Sequence, residues 1–312
     1  MDPILTILLP VFAIVATGYL AGRARVLGAD GSDVLNRFVY WVALPALLFR
    51  AMATAEFDLA AAGRFAAAFT LAIGILWLAS LLWSRAVWKL GLAEGAMHAL
   101  NGVYANVGYM GIPLAAAAYG AEAAPFAITA ALIVVGPLIA ITAAMLEIAG
   151  KERVSVVTVA GGVLTALVKN PLVVSPLLGV AWGQTGIGLA APIDTYLTLT
   201  GAAAGPCALF AIGLFLTNLR LREGLGEVSA MTLSKLVLHP LVTAAVVFWL
   251  IPLDPLAAKV AIFLAALPTG AGSFVLAQVT GVAELRTSSV ILISTVLSIA
   301  SVAVIFMVFP PG

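Results

Sequence analysis

The chain has 312 residues, of which 63% are hydrophobic and only 9% charged, against about 25% charged in an ordinary soluble domain. So few charges cannot cover a soluble surface, and a net charge of +1 without a basic block offers nucleic acid nothing to bind. A single cysteine, Cys207, excludes an internal disulfide and a cysteine-built metal cluster.

A bilayer needs ~20 apolar residues per spanning helix, and such stretches recur along the whole chain. In order they predict ten spans, at 3–22, 34–53, 65–88, 96–118, 124–147, 168–183, 191–217, 229–251, 256–279 and 286–309. The ~10-residue alternating segments of a membrane β-barrel are absent, so the fold class is an all-α polytopic membrane protein. The first apolar stretch has neither a basic leader nor a small-residue cleavage site and reads as a spanning helix. Residues 154–167 are left over, as an interfacial helix or an extension of a neighbouring span.

Cytoplasmic loops hold Lys and Arg preferentially. Arg23, Arg25, Arg37, Arg85, Lys89, Lys151, Arg153, Arg220, Arg222 and Arg286 follow odd-numbered spans, and only Arg50, Arg64 and Lys259 follow even ones. Lys169 and Lys235 are placed at helix starts on the odd-loop side, with Lys169 as a surface anchor. The odd loops are therefore cytoplasmic and both termini lie outside.

A shift of about 161 residues lays Pro10 on Pro171, Gly18 on Gly179, Asp33 on Asp194, Pro45 on Pro206 and Gly120 on Gly281. It also lays "PALLF" (45–49) over "PCALF" (206–210). Five spans per repeat is odd, so the second repeat enters the membrane from the opposite face. The domains are then a first inverted repeat, 1–150, a cytoplasmic connector, 151–167, and a second repeat, 168–312. In such folds the substrate site lies where paired, Gly/Pro-interrupted spans meet near the midplane. Span 4 is weakened by Gly108, Gly111 and Pro113, and span 9 by Pro268, Gly270 and Gly272. A backbone freed in this way is tolerated in a membrane only if buried in protein or facing a wet cavity, so the two breaks are expected to meet beside a cavity.

The stretches "NRFVYWVALPALLF" (36–49), "NVGYMGIPL" (106–114), "LVKNPLVVSPLLG" (167–179) and "LPTGAGSFVLAQ" (267–278) resemble the auxin efflux carrier family, whose plant members are PIN-type carriers. The similarity covers nearly the whole chain and looks like a compact prokaryotic member. The resemblance implies two inverted five-helix repeats with spans 4 and 9 crossing. It implies a scaffold of spans 1, 2, 6 and 7, with the prolines Pro45 and Pro206, and a mobile transport domain of spans 3–5 and 8–10. It also implies a homodimer through the scaffold and a crossover Asn and Pro that carry over to Asn106 and Pro113. Ser273 stands where plant carriers have a second crossover proline, which puts auxin itself in doubt. Prokaryotic members of the family are associated with small organic acids such as malate or malonate.

A carboxylate can be held at such a site without a buried cation, by half-helix N-termini together with the Asn106 amide, the Tyr109 phenol and the Thr269 and Ser273 hydroxyls. Tyr104 is read as a packing residue. His239 is an intramembrane ionisable group, open to a coupling role or to a plain hydrogen bond with a carbonyl beside Pro240. Asp33 and Asp194 are expected to cap helices. No catalytic motif, metal set or cofactor site is recognised. The reading is a secondary transporter of small organic anions in the cytoplasmic membrane, an elevator-type uniporter working toward efflux. The alternatives are a Na⁺- or H⁺-coupled symporter of the related bile-acid type, or a sensor or channel.

Overall fold

The structure, a computed structural model, describes residues 3–27, 30–55, 58–150, 161–162, 165, 168–217 and 224–311. The expected connector lies outside these except at 161–162 and 165, as do Lys151, Arg153, Arg220 and Arg222. Among the described residues there is no strand. The helices are α1 (Pro3–Arg23), α2 (Gly31–Thr54), α3 (Leu59–Val87), α4 (Leu92–Val103), α5 (Val107–Tyr119), α6 (Ala121–Gly150), α7 (Pro171–Gly183), α8 (Ala191–Leu216), α9 (Leu225–Leu250), α10 (Pro255–Ala265), α11 (Gly272–Thr280) and α12 (Glu284–Val308). Seven of them (α1, α2, α3, α6, α8, α9 and α12) are long and apolar enough to cross a membrane, and α5, α7 and α10 are shorter apolar helices. The molecule is an all-helical integral membrane protein. Its outward residues fit a lipid solvent, with Trp249 80% exposed and Leu199 70% exposed.

Two of the expected spans are each built from two helices. Span 4 consists of α4 and α5, separated by Tyr104–Asn106, and span 9 consists of α10 and α11, separated by 266–271. The first interruption lies just ahead of the Gly/Pro cluster rather than on it. Gly108 and Gly111 sit in a π-type turn, Val107–Gly111, and Pro113 follows at the start of regular helix. Proline crowds the carbonyl four residues back, and the widened turn makes room for it.

Packing is dense within two groups, α1, α2, α7 and α8 on one side and α3–α6 with α9–α12 on the other. In the first group glycine lets backbones touch. A Cβ at Gly18 would overlap the Phe210 carbonyl oxygen, and one at Gly179 would overlap the Phe49 carbonyl oxygen. These two contacts map onto each other under the 161-residue shift seen in the sequence. Pro45 and Pro206 also behave alike. Each opens a regular helical segment after a distortion, a π-type turn at Val39–Ala43 in α2 and a turn at Ala203 in α8. In the second group buried rings bind helices together. Phe263 of α10 stacks on Phe306 of α12 at 5.5 Å between centroids, and Phe65 of α3 meets Phe126 of α6 at 5.2 Å.

Three charged residues depart from expectation. Asp33 does not cap α2, which starts at Gly31 after Asp30, and Asp194 does not cap α8, which starts at Ala191. Each lies inside its helix, and Asp194 instead accepts two hydrogen bonds from Arg50, at 2.6 and 3.3 Å. Lys235 is not at a helix start. α9 begins at Leu225, so Lys235 falls well inside it and is fully buried.

Candidate functional site

The two interruptions meet. The Asn106 N–H donates to the Pro268 carbonyl at 2.9 Å, and the Gly270 N–H donates to the Tyr104 carbonyl at 3.0 Å. These bonds form an isolated antiparallel bridge between Ala105 and Thr269. Backbone groups released by breaking each helix thus satisfy one another, which a buried, water-poor setting requires. Glycine makes the approach possible: a Cβ at Gly270 would press on the Tyr104 ring, and one at Gly272 would collide with the Tyr104 hydroxyl.

The carbonyl ends of α4 and α10 are satisfied by side chains. The Thr269 hydroxyl donates to the Asn101 carbonyl at 2.9 Å, and the Ser234 hydroxyl to the Gly102 carbonyl at 3.2 Å. At α10, the Lys235 ammonium donates to the Ala265 carbonyl at 2.6 Å, and the Ser301 hydroxyl to the Ala266 carbonyl at 2.8 Å. The helix starts are left open instead. Asn106 precedes α5 yet makes no capping hydrogen bond, although Asn is a favoured cap, and Ala271 before α11 has no side chain able to cap. Among the described residues the amides of Gly108, Tyr109, Ala271 and Gly272 donate to no backbone carbonyl. All four residues line one cavity of about 700 Å³. Two positive helix ends therefore converge on it, the arrangement that suits an anion.

Asn106 and Tyr109 line this cavity, as do the break glycines Gly108, Gly270 and Gly272. Asn106 is 8% exposed. Thr269 and Ser273 do not line it. Their hydroxyls are engaged by freed carbonyls, Asn101 for Thr269 and Gly270 for Ser273 at 3.0 Å. Gly111, Pro113 and Pro268 also stay off the cavity. Gly111 faces Leu264 and Leu267, and Pro113 packs against Gly205 next to Pro206. Tyr104 both packs on the glycines and lines the cavity.

Five polar cavity residues are not among the site candidates read from the sequence, although Asp33 is expected there as a helix cap and Arg37 as a cytoplasmic-loop cation. Asp33, Asn36, Arg37 and Tyr40 come from α2, and Asn170 from the start of α7. Asn170 caps α7 through the Leu172 N–H at 2.9 Å and accepts the Tyr40 hydroxyl at 3.0 Å. The α2 residues recur at i, i+3, i+4 and i+7, one face of a helix; a polar stripe running into the start of a predicted span was the available signal. His239 lies away from the cavity, in α9. Neither of its ring nitrogens has a hydrogen-bond partner, so the expected alternative of a bond to a nearby carbonyl is not what the structure contains. Among the described residues no group of three His, Cys, Asp or Glu could hold a metal ion.

The family profile described as "Membrane transport protein" matches residues 3–306. The chain is 32% identical to a Rhizobium meliloti protein named "Putative malonate transporter", over 97% of this chain and 94% of that one. It is 26% identical to an "Uncharacterized transporter" of Methanothermobacter thermautotrophicus, over 94% of each chain. It is 25% identical to the "Uncharacterized transporter YfdV" of Escherichia coli K12, over 75% of each.

Proposed function

The chain belongs to the membrane transport protein family, and on that premise we propose that it is a secondary carrier of small organic anions, with malonate-like carboxylates as its substrate class. The observation that carries this reading is the convergence of two uncapped helix starts and Asn106 on one cavity. Four open N–H groups and an amide suit a carboxylate, and Arg37 on the lining adds a cation to draw anions in. Without a deeply placed Arg, release stays easy. The name of the Rhizobium relative points to the same substrate class.

In this reading the chain crosses the membrane ten times, with α4–α5 and α10–α11 each forming one interrupted span. The matched contacts of Gly18 with Phe210 and Gly179 with Phe49 support two inverted repeats. The two packing groups suggest the division of labour. α1, α2, α7 and α8 form the scaffold, also the surface for a homodimer, while α3–α6 and α9–α12 carry the anion past it as an elevator. Asp33, Asn36 and Arg37 line the cavity near the start of α2, which this reading puts on the Arg-rich, cytoplasmic side, with both termini outside.

Counterflow in proteoliposomes tests the reading. Vesicles preloaded with unlabelled malonate are expected to accumulate labelled malonate transiently, without any need for sodium. A channel would give flux without stimulation from the opposite side, a sensor would give no flux, and a sodium requirement would favour a bile-acid-type symporter.

A further inference from the structure

Lys235 is fully buried, and among the described residues no other Lys, Arg, Asp or Glu is buried. Its ammonium donates to the carbonyl of Ala265, the last residue of α10, at the negative end of that helix dipole. An ammonium has three donors, and no carboxylate among the described residues pairs with this one. One turn further along α9, His239 is also fully buried, 6.0 Å from the Phe69 ring between centroids. Both His239 nitrogens lack a hydrogen-bond partner, and so does the buried hydroxyl of Thr243 one turn beyond. Buried polar atoms are normally bonded. Capping α10 accounts for Lys235 alone and leaves this row of unpartnered atoms without a purpose.

The surrounding helices bring no opposing charge to the row. α3 faces it with Phe69 and with Ser80, which meets Ser234, and keeps Arg64 and Arg85 toward its two ends. α10 brings the Ala265 carbonyl and has Lys259 partly exposed nearer its start. Glu94 of α4 and Glu227 of α9 both pair with Arg286 of α12, Glu284 stands at the start of α12, and His98 of α4 packs on Trp88.

We propose that Lys235 and His239 form a proton site linked to the anion cavity, so that a proton travels with each anion. The proposal rests on the carrier reading and replaces the uniport expected from the sequence with proton-coupled movement. Anion and proton attract each other across the paired breaks. α10, whose end Lys235 caps, leads directly into the 266–271 segment whose far end opens onto the cavity. By linkage, each must raise the affinity for the other by the same factor. When the transport domain moves and wets this row, His239 takes a proton from water at a ring nitrogen and, on meeting the Lys235 amine, passes it over to give the ammonium held by Ala265. When the anion leaves, the ammonium returns its proton through His239 to water on the other side.

The test uses proteoliposomes of the full chain with a trapped pH dye, the potential clamped at zero and protein-free vesicles subtracted. Malonate entry by the wild type is expected to acidify the lumen in step with labelled uptake. In His239→Gln, the protons moved per labelled malonate should fall at least about tenfold, and malonate affinity should weaken with them because the coupling is reciprocal. Lys235→Met, which keeps the apolar stem, should lose proton movement in the same way, and His239→Gln keeps the test decisive if that variant does not fold. Wild-type malonate flux with no pH change, or undiminished proton movement in His239→Gln, would overturn the proton site and leave the carrier reading standing. Absence of wild-type counterflow would overturn both.

Discussion

The two breaks face the same cavity but are made of different material. The first presents side chains, with Asn106 and Tyr109 on the lining. The second presents mostly backbone, at Gly270, Ala271 and Gly272, because the Tyr104 ring fills the space that side chains at the two glycines would need. The carbonyl ends differ too. α4 ends on neutral hydroxyls from Thr269 and Ser234, whereas α10 ends on the Lys235 ammonium. In the proposed reading the two segments divide the work. The first break offers an amide to select the ligand, and the second offers a close backbone surface backed by a positive charge.

The sharpest way to break this comparison is to remove the side chain that distinguishes the first break. Asn106→Ala takes away the amide but leaves both backbone hydrogen bonds to the second break in place. A hydrogen bond to a charged group is worth about 1.5–3 kcal/mol, so malonate counterflow is expected to fall by about tenfold to a hundredfold, with the melting temperature unchanged. Wild-type rates would remove Asn106 from the site. The second break is tested through space rather than chemistry. Gly272→Ala drives a methyl into the Tyr104 hydroxyl, and overpacking of this kind costs about 1–3 kcal/mol. Counterflow and thermal stability should both drop, and Tyr104→Phe in the same chain should restore part of each, since a ring carbon stays 2.9 Å from the new Cβ. No rescue would mean that the hydroxyl is not the contact that matters.

How much of this could be read in advance depended on whether the controlling interaction was local. The long helices follow from apolar runs, and the interrupted spans from Gly/Pro clusters. The position of the first break was displaced to Tyr104–Asn106 because a π-type turn absorbs Pro113, a backbone accommodation that composition does not encode. Thr269 and Ser273 have the right chemistry for a carboxylate, but a hydroxyl serves whichever acceptor is nearest. For Thr269 that acceptor, the Asn101 carbonyl, comes from the other half of the chain. Lys235 was hidden for a similar reason. One Lys in an apolar run reads as a snorkelling residue at a span end, and only the start of α9 at Leu225 and the approach of Ala265 place it in the interior. The α2 stripe of Asp33, Asn36, Arg37 and Tyr40 was legible by its spacing, yet its importance depends on the cavity it lines.

The smallest expected effect concerns Ser273, the position where the resemblance to plant carriers fails. Its hydroxyl is fully buried and donates to the Gly270 carbonyl at 3.0 Å. The bond lies within the second break and points at no ligand. Ser273→Ala fits without a clash and costs one buried hydrogen bond, about 1 kcal/mol, so a slightly lower melting temperature is expected. The bridge between Tyr104 and Gly270 uses the Gly270 N–H rather than its carbonyl, so the pairing of the breaks should survive. Malonate counterflow should therefore stay within about twofold of wild type, since the lost bond only steadies the turn. A tenfold loss with unchanged stability would instead bring Ser273 to the anion, and the second break would then recognise its ligand by side chain, as the first does.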